Sequence, residues 1–182
     1  MTDSEHLPSR AKLTKADILR LFELLNTEIC KDAANAEVYL VGGAVMCLAL
    51  DARPATRDVD AYFRPTRLVR EAAARVAVEA AVPDTWLNDS VKGFLSPRGD
   101  FEDFLELSNL RVFVAHPRYL LAMKCAAMRL GEEFHDLNDV RYLLRYLNVG
   151  SVDEAMDIVT DYFDEQQLLP KTRLALEELL GE

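Results

Sequence analysis

The stretch VYLVGGAVMCLALDARPATRDVDAYF, residues 38–63, decides the fold and holds the candidate chemistry. Apolar residues from Val38 onward predict a buried strand that runs into a turn at Gly42 and Gly43. Neither glycine has a Cβ, so the backbone there can adopt a positive φ and its N–H groups can approach a ligand. Residues 44–50 have helical composition, which predicts a helix N-terminus with unpaired N–H groups directly after the glycines. This arrangement is typical of a seat for a phosphate group.

A second strand is predicted over residues 58–63, DVDAYF. Side chains alternate along a strand, so Asp58 and Asp60 share one face and Val59 lies on the other. The carboxylates stand about 6 to 7 Å apart along the strand, and such hard oxygen ligands suit Mg²⁺ that holds a triphosphate. Taken alone, a glycine pair is usually only a turn, and an Asp-x-Asp strand is usually a solvated face. Their order favours a site, and it is no dinucleotide-binding fingerprint because no third glycine follows Gly43.

This order of motifs resembles the nucleotidyltransferase-fold superfamily. The variant GGAVMCLAL followed by RPATRDVDAYF is most similar to bacterial nucleotidyltransferase-like proteins related to the abortive-infection toxins of type IV toxin–antitoxin pairs. Further matches are TWLNDSVKGF (85–94), LLAMKCAAMR (120–129) and HDLNDVRYLL (135–144), so the resemblance covers most of the chain from Val38 to Leu147. One departure is Ala44, which stands where many superfamily enzymes have a hydroxyl that holds a phosphate.

The resemblance implies an α/β (α+β) nucleotidyltransferase fold, with a small mixed sheet flanked by helices and a C-terminal helical subdomain. It implies Mg²⁺-dependent transfer of a nucleoside monophosphate from an NTP to an RNA 3′ end or a protein hydroxyl, by a toxin that an antitoxin protein neutralises. Asp58 and Asp60 would hold the metal, and Gly42 and Gly43 would cradle the phosphates. Arg57 would stabilise negative charge as pyrophosphate leaves.

The resemblance also assigns roles within the predicted helical part. Lys124 would face the cleft and hold a phosphate, and Arg129 would support it. Asp136 with Asp139 would complete the far wall, and Asp136 would orient Lys124 or act as a base for an attacking hydroxyl. Structural alternatives stay open: Lys124 could extend its charge from a buried helix, and Asp136 could cap the following helix.

A third carboxylate beside the metal is expected on a later strand, as superfamily enzymes usually have one. Asp89 and Glu106 are the candidates, although Glu106 could equally face solvent on an edge strand. The lack of a clear third acid, together with Ala44, motivates a second interpretation: a nucleotide-binding or interaction module that keeps the fold without turnover. A third interpretation is a small-molecule nucleotidyltransferase, such as one that modifies an antibiotic.

Charge and hydropathy bound the function class. The formal net charge of −10 argues against indiscriminate binding to nucleic acid, yet arginines concentrate between residues 53 and 75, around the candidate site, while acids dominate after Val152. No apolar run approaches the ~20 residues that cross a bilayer, and the N-terminal sequence MTDSEHLPSR is polar. These features predict a cytoplasmic protein without a membrane partner.

The 182 residues, half of them apolar, predict one domain, or one domain with a small appendage. We interpret residues 1–12 as a disordered tail, residues 13–115 as the α/β domain and residues 116–182 as the helical subdomain. Thr14 and Asp17 predict a capping box at the first helix. The three cysteines show neither metal nor disulfide spacing and are predicted to be small buried thiols: Cys30, Cys47 and Cys125.

Overall fold

A computed structural model describes residues 12–128 and 136–181. The predicted tail therefore lies outside the described residues, apart from Lys12, and so does Arg129. The described strands are β1 Leu13–Thr14, β2 Ala36–Leu40, β3 Ala55–Thr56, β4 Val59–Arg64, β5 Leu87–Asn88, β6 Phe101–Glu106 and β7 Leu110–Ala115. The described α-helices are α1 Lys15–Lys31, α2 Gly42–Leu48, α3 Thr66–Ala80, α4 Pro117–Ala126, α5 Asp136–Tyr146, α6 Val152–Tyr162 and α7 Pro170–Leu180.

The main sheet is mixed and five-stranded, in the order β5-β4-β2-β7-β6, and β1 pairs with β3 in a separate small sheet. The central strand β2 runs antiparallel to β4 and parallel to β7, so Val38 lies between Phe63 and Val112. All three of these side chains are buried. The chain is therefore a mixed α/β protein, as predicted.

Helix α1 begins at the predicted capping box. The Thr14 hydroxyl accepts from the Asp17 N–H at 3.2 Å, and the Asp17 carboxylate accepts from the Thr14 N–H at 2.8 Å. This pair satisfies two backbone donors that the first helical turn leaves without partners. The helix then buries an apolar stripe at helical spacing: Ile18, Leu21, Phe22, Leu25 and Ile29.

Several element boundaries differ from the prediction. Helix α2 begins at Gly42 rather than after the glycines, because Val41 is still extended and acts as the N-cap. Strand β4 begins at Val59, which leaves Asp58 in the preceding turn. The hairpin turn at Ser108 and Asn109 is confirmed, but β6 begins earlier than the predicted residue 104. Antiparallel pairing with β7 recruits residues that have no strand periodicity of their own.

The cysteines divide into two kinds. Cys47 and Cys125 are buried as predicted, and burial raises the pKa of the Cys125 thiol to about 12. Cys30 is exposed, so the prediction was wrong there. It lies near the end of α1, off the buried stripe, and helical composition alone did not show which face it occupies.

Within residues 12–128 and 136–181, no helix has both the length and the apolar character of a membrane span. Strands end at Ala115, and only helical elements follow in the described chain. Helix α4 packs against α5 and α6 and also approaches α2, which carries the glycine turn.

We expect Trp86→Phe to destabilise the protein by about 2 kcal/mol. Trp86 is almost fully buried, contacts Phe22 and donates its indole N–H to the Ala73 carbonyl at 3.0 Å. The change therefore removes core volume and a buried hydrogen bond. Urea unfolding measures the loss. Val78→Ala, at an 85% exposed position on α3, is the control and should change stability by less than about 0.5 kcal/mol; equal effects would contradict the packing described.

Candidate functional site

A cavity of about 1810 Å³ lies between the end of the sheet that carries the glycine turn and the C-terminal helices. Its walls come from both halves of the chain: the turn after β2, the segment before β4, and helices α4 and α5. The structure brings together in this cavity all the predicted site residues that it describes: Gly42, Gly43, Arg57, Asp58, Asp60, Lys124 and Asp136.

The glycine turn is shaped around the side chains that line the cavity. Gly42 has φ +64°, and a Cβ built there would lie 3.3 Å from Oδ2 of Asp60. A Cβ on Gly43 would lie 2.9 Å from the Thr56 hydroxyl and 3.0 Å from the Arg53 guanidinium. The positive φ of Gly42 is one that residues with a Cβ rarely adopt. The absence of a Cβ at both glycines leaves space for the side chains of Arg53, Thr56 and Asp60.

The two predicted carboxylates line the cavity wall beside this turn. Val59 between them is fully buried, whereas Asp58 and Asp60 are partly exposed, as strand alternation predicts. The Asp60 carbonyl accepts from the Val41 N–H at 3.0 Å, which holds the strand against the start of the turn. Oδ2 of Asp58 accepts from the Asn88 amide at 3.3 Å. Within the described part of the chain, the Asp60 side chain has no hydrogen bond or ion pair.

Asp58 and Asp60 are a ligand set that suits a metal ion bound jointly by protein and substrate. No group of three or more His, Cys, Asp or Glu side chains among the described residues could hold an ion. A dedicated protein cage for a cation is thus not formed by those residues. Two carboxylates suit Mg²⁺, which commonly takes one or two carboxylates and completes its shell with substrate phosphates and water. Asp58 and Asp60 could therefore hold Mg²⁺ together with a triphosphate.

The cavity lining also includes a buried network of ion pairs. Lys124 donates to Oδ1 of Asp136 at 3.2 Å. Its ammonium also lies 2.8 Å from Oδ2 of Asp139, off the direction of a hydrogen bond, so that contact is an ion pair only. The other Asp139 oxygen accepts from Arg53, which lies beside Gly43. The network thus connects α4 and α5 to the loop that follows α2.

The cavity is cationic although the chain is acidic. Its described lining has eight cationic side chains and five carboxylates, against a net charge of −10 for the chain. Five of the cations have no carboxylate partner among the described residues: Lys12, Arg57, Arg141, Arg145 and Lys171. A cleft lined by one sign of charge raises the local concentration of ligands of the other sign. The cavity is therefore suited to a polyanion.

The two candidates for a third carboxylate lie elsewhere. Asp89 pairs with Lys92 and with Arg70, and these cations hold the pKa of its carboxyl below the ordinary value despite partial burial. Glu106 is exposed on the edge strand β6. Neither lines the cavity. One hydrogen bond to the Asp58 carboxylate comes instead from the neutral Asn88.

Sequence reasoning missed two residues of the site. Arg53 belongs to the arginine-rich stretch, but nothing in its spacing indicated a partner 86 positions away at Asp139. Residues 86–89 are compatible from their sequence with a short strand or turn that carries a polar pair, and β5 is such a strand, but nothing in this segment indicated that Asn88 contacts Asp58. Both positions could be found only from the pairing of distant elements.

No family model matches the chain, and comparisons with curated proteins and with solved structures give no match. The chemistry of the cavity therefore follows from its own side chains. The cavity is lined by a glycine turn with two carboxylates and by a lysine that two aspartates hold. The space between them is lined by an excess of cations. This arrangement can bind a phosphorylated ligand together with a divalent cation.

We expect Gly42→Ala to destabilise the protein by about 1 to 2 kcal/mol, the cost of left-handed backbone for a residue with a Cβ. Its new methyl group would also contact the Asp60 carboxylate. Gly93→Ala is the matched control, because its Cβ would meet nothing within 4 Å and its φ is not positive. Thermal and urea unfolding compare the two variants. A loss of the same size in both would argue against the turn geometry.

We expect Lys124→Met to destabilise the protein by about 3 kcal/mol, because it keeps the shape of the side chain but leaves Asp136 and Asp139 buried without the ammonium. Lys171→Met is the control: Lys171 lines the same cavity without a carboxylate partner in the described chain, so its loss should stay below about 0.5 kcal/mol. Urea unfolding measures both. Full stability in Lys124→Met would show that the network is dispensable.

Proposed function

We propose that the protein is a Mg²⁺-dependent nucleotidyltransferase, built on the nucleotidyltransferase fold, that moves a nucleoside monophosphate from an NTP to an acceptor hydroxyl. One observation carries the proposal. Asp58 and Asp60 line the same cavity as Gly42 and Lys124, and the Asp60 carboxylate lies beside Gly42. Two hard-oxygen ligands, a glycine turn and a cation in one cavity are parts that phosphoryl transfer uses.

The chemistry divides among these side chains. Mg²⁺, when bound, neutralises phosphate charge and lowers the pKa of the attacking hydroxyl. Asp58 and Asp60 would hold this ion. The acceptor hydroxyl loses its proton to solvent water, and its oxygen forms a bond to the α-phosphorus as the bond from that phosphorus to the pyrophosphate oxygen breaks. Arg57 and Lys124 stabilise the negative charge that moves to the pyrophosphate.

The contact between Asp136 and Lys124 supports one of the two roles considered for Asp136. A carboxylate that accepts a hydrogen bond from an ammonium at 3.2 Å fixes the direction of that ammonium. It is then a positioning residue for Lys124 rather than the base that receives the hydroxyl proton. Arg129 keeps its proposed supporting role, which concerns a residue outside the described chain.

Charge favours an RNA 3′ end as the acceptor over a protein hydroxyl. The cations without a carboxylate partner include Arg141 and Arg145 on α5 and Lys171 on α7. A triphosphate held at Asp60 and Lys124 leaves this part of the cavity for a second anionic ligand. By resemblance, we further propose a cytoplasmic toxin of bacterial type that a partner antitoxin neutralises.

A second candidate function is a nucleotide-binding module without turnover. The observation that favours it is the engagement of Lys124 by two aspartates. A phosphate at this lysine must compete with both carboxylates, and Ala44 offers no hydroxyl to help. Antibiotic modification is the third candidate, and it differs from the main proposal only in the acceptor.

The test is pyrophosphate release with each of the four NTPs, Mg²⁺ and cellular RNA, total protein or aminoglycosides as acceptors. Asp60→Asn removes one ligand charge and keeps the shape, so we expect release to fall about 100-fold, equivalent to about 3 kcal/mol of transition-state stabilisation. Its melting temperature should match that of the parent.

Asp103→Asn is the control, because Asp103 is a highly exposed aspartate on β6 outside the cavity, and it should release pyrophosphate at the parent rate. Equal release by the parent and Asp60→Asn would exclude the proposed metal ligands. No release from the parent with any acceptor would leave the binding module as the better proposal.

A further inference from the structure

Asn88 lies next to both candidate metal ligands, Asp58 and Asp60. Strand β5 runs parallel to β4 with Asp60 opposite Asn88 and Val59 opposite Leu87. Leu87 is buried like Val59, so Asn88 is on the same side of the sheet as Asp60. Adjacent strands lie about 4.8 Å apart. One asparagine is thus the neighbour of Asp60 across the sheet and the hydrogen-bond partner of Asp58.

The orientation of the Asn88 amide is set by its partners. Asp58 can only accept when ionised, so the group that points to it is Nδ2, at 3.3 Å. On the other side the Ser90 backbone N–H can only donate, so the group that meets it is Oδ1, at 3.4 Å, and the Ser90 hydroxyl donates to the same oxygen at 2.7 Å. Both ends of the amide are therefore held, and the flipped orientation would place like groups together.

This fixed amide matters most for Asp58. Asp60 belongs to β4, and its backbone carbonyl is held by the Val41 N–H. Asp58 lies in the turn before the strand, so the ladder does not hold its backbone in the same way. Its carboxylate depends more on side-chain contacts for its direction. Partners that hydrogen-bond to a metal-binding carboxylate set its orientation and strengthen metal binding.

We propose that Asn88 is a positioning residue of the metal site, and this inference rests on the proposed function. Its Nδ2 orients the Asp58 carboxylate toward the cavity. Among residues 12–128 and 136–181, its neutrality keeps the donor set at the two carboxylates Asp58 and Asp60, so a divalent cation binds together with the nucleotide phosphates rather than alone. The affinity of oxygen-ligand sites for divalent cations rises with the number of charged ligands.

Mn²⁺ binding measured by calorimetry tests the proposal, with Mn²⁺ alone and with Mn²⁺ plus a non-hydrolysable NTP analogue. We expect Asn88→Ala to weaken Mn²⁺ binding in the presence of the analogue by about tenfold. Asn88→Asp, which keeps the size of the side chain but adds a third carboxylate, should bind Mn²⁺ alone about tenfold more tightly than the parent. Asn138→Ala is the matched control; this asparagine lines the cavity, accepts from Arg141 and has no hydrogen bond to Asp58 among the described contacts, so the Mn²⁺ affinity of this variant should equal that of the parent.

Melting temperatures accompany each titration. If Asn88→Ala does not fold, the gain expected in Asn88→Asp still decides the question. Parent-like Mn²⁺ affinity in the folded Asn88 variants would overturn the role of Asn88 and leave the proposed function standing. No Mn²⁺ binding by the parent in either condition would overturn both. The expected affinity pattern without pyrophosphate release from the parent would keep the metal site and remove the enzyme.

Discussion

The antiparallel pairing of β2 with β4 is the constraint on which the rest of the site depends. It brings the glycine turn, at the end of one strand, beside the acidic residues at the start of the other. The last contact of this pairing, from the Val41 N–H to the Asp60 carbonyl, leaves a Gly42 Cβ position only 3.3 Å from the Asp60 carboxylate. Without the pairing the two motifs would be separate features of a loop and a strand.

The buried ion pairs are a second interaction that joins distant segments of the chain. Burying charges costs several kcal/mol per ion, and mutual attraction repays it only when geometry and hydrogen bonding are favourable. Lys124 on α4, Asp136 and Asp139 on α5, and Arg53 in the loop after α2 come from three separate segments of the chain, and an apolar contact could join the same segments at lower cost. The ion pairs, unlike an apolar contact, hold the Lys124 ammonium in a fixed direction at the cavity, which supports the role proposed for Lys124.

The net charge of the whole chain and the charge of the cavity lining have opposite signs. Acidic residues give the chain a large negative charge that keeps it from attracting nucleic acid everywhere. The cationic lining of the cavity confines attraction for anions to one place. A polyanionic ligand would thus be attracted to the cavity that contains Asp58 and Asp60. These carboxylates repel an anion, and a bound divalent cation would offset the repulsion.

The sequence by itself determined the local features. Alternating and helical periodicities predicted β2, β4, α1 and the capping box at Thr14, because these signals depend on neighbouring residues only. Strand spacing likewise predicted that Asp58 and Asp60 flank a buried Val59. Even so, the start of β4 was displaced by one residue, since strand ends depend on the partner strand.

Tertiary structure alone decided which distant residues meet. The contacts of Arg53 with Asp139 and of Asn88 with Asp58 join positions far apart in the chain, and no local pattern records such a contact. Tertiary contacts also decided the position of the two candidates for a third carboxylate. Asp89 forms ion pairs with Arg70 and Lys92, and Glu106 faces solvent because β6 is an edge strand. Side-chain chemistry states what a residue can do, whereas strand pairing and helix packing determine which groups are near enough for it to act on.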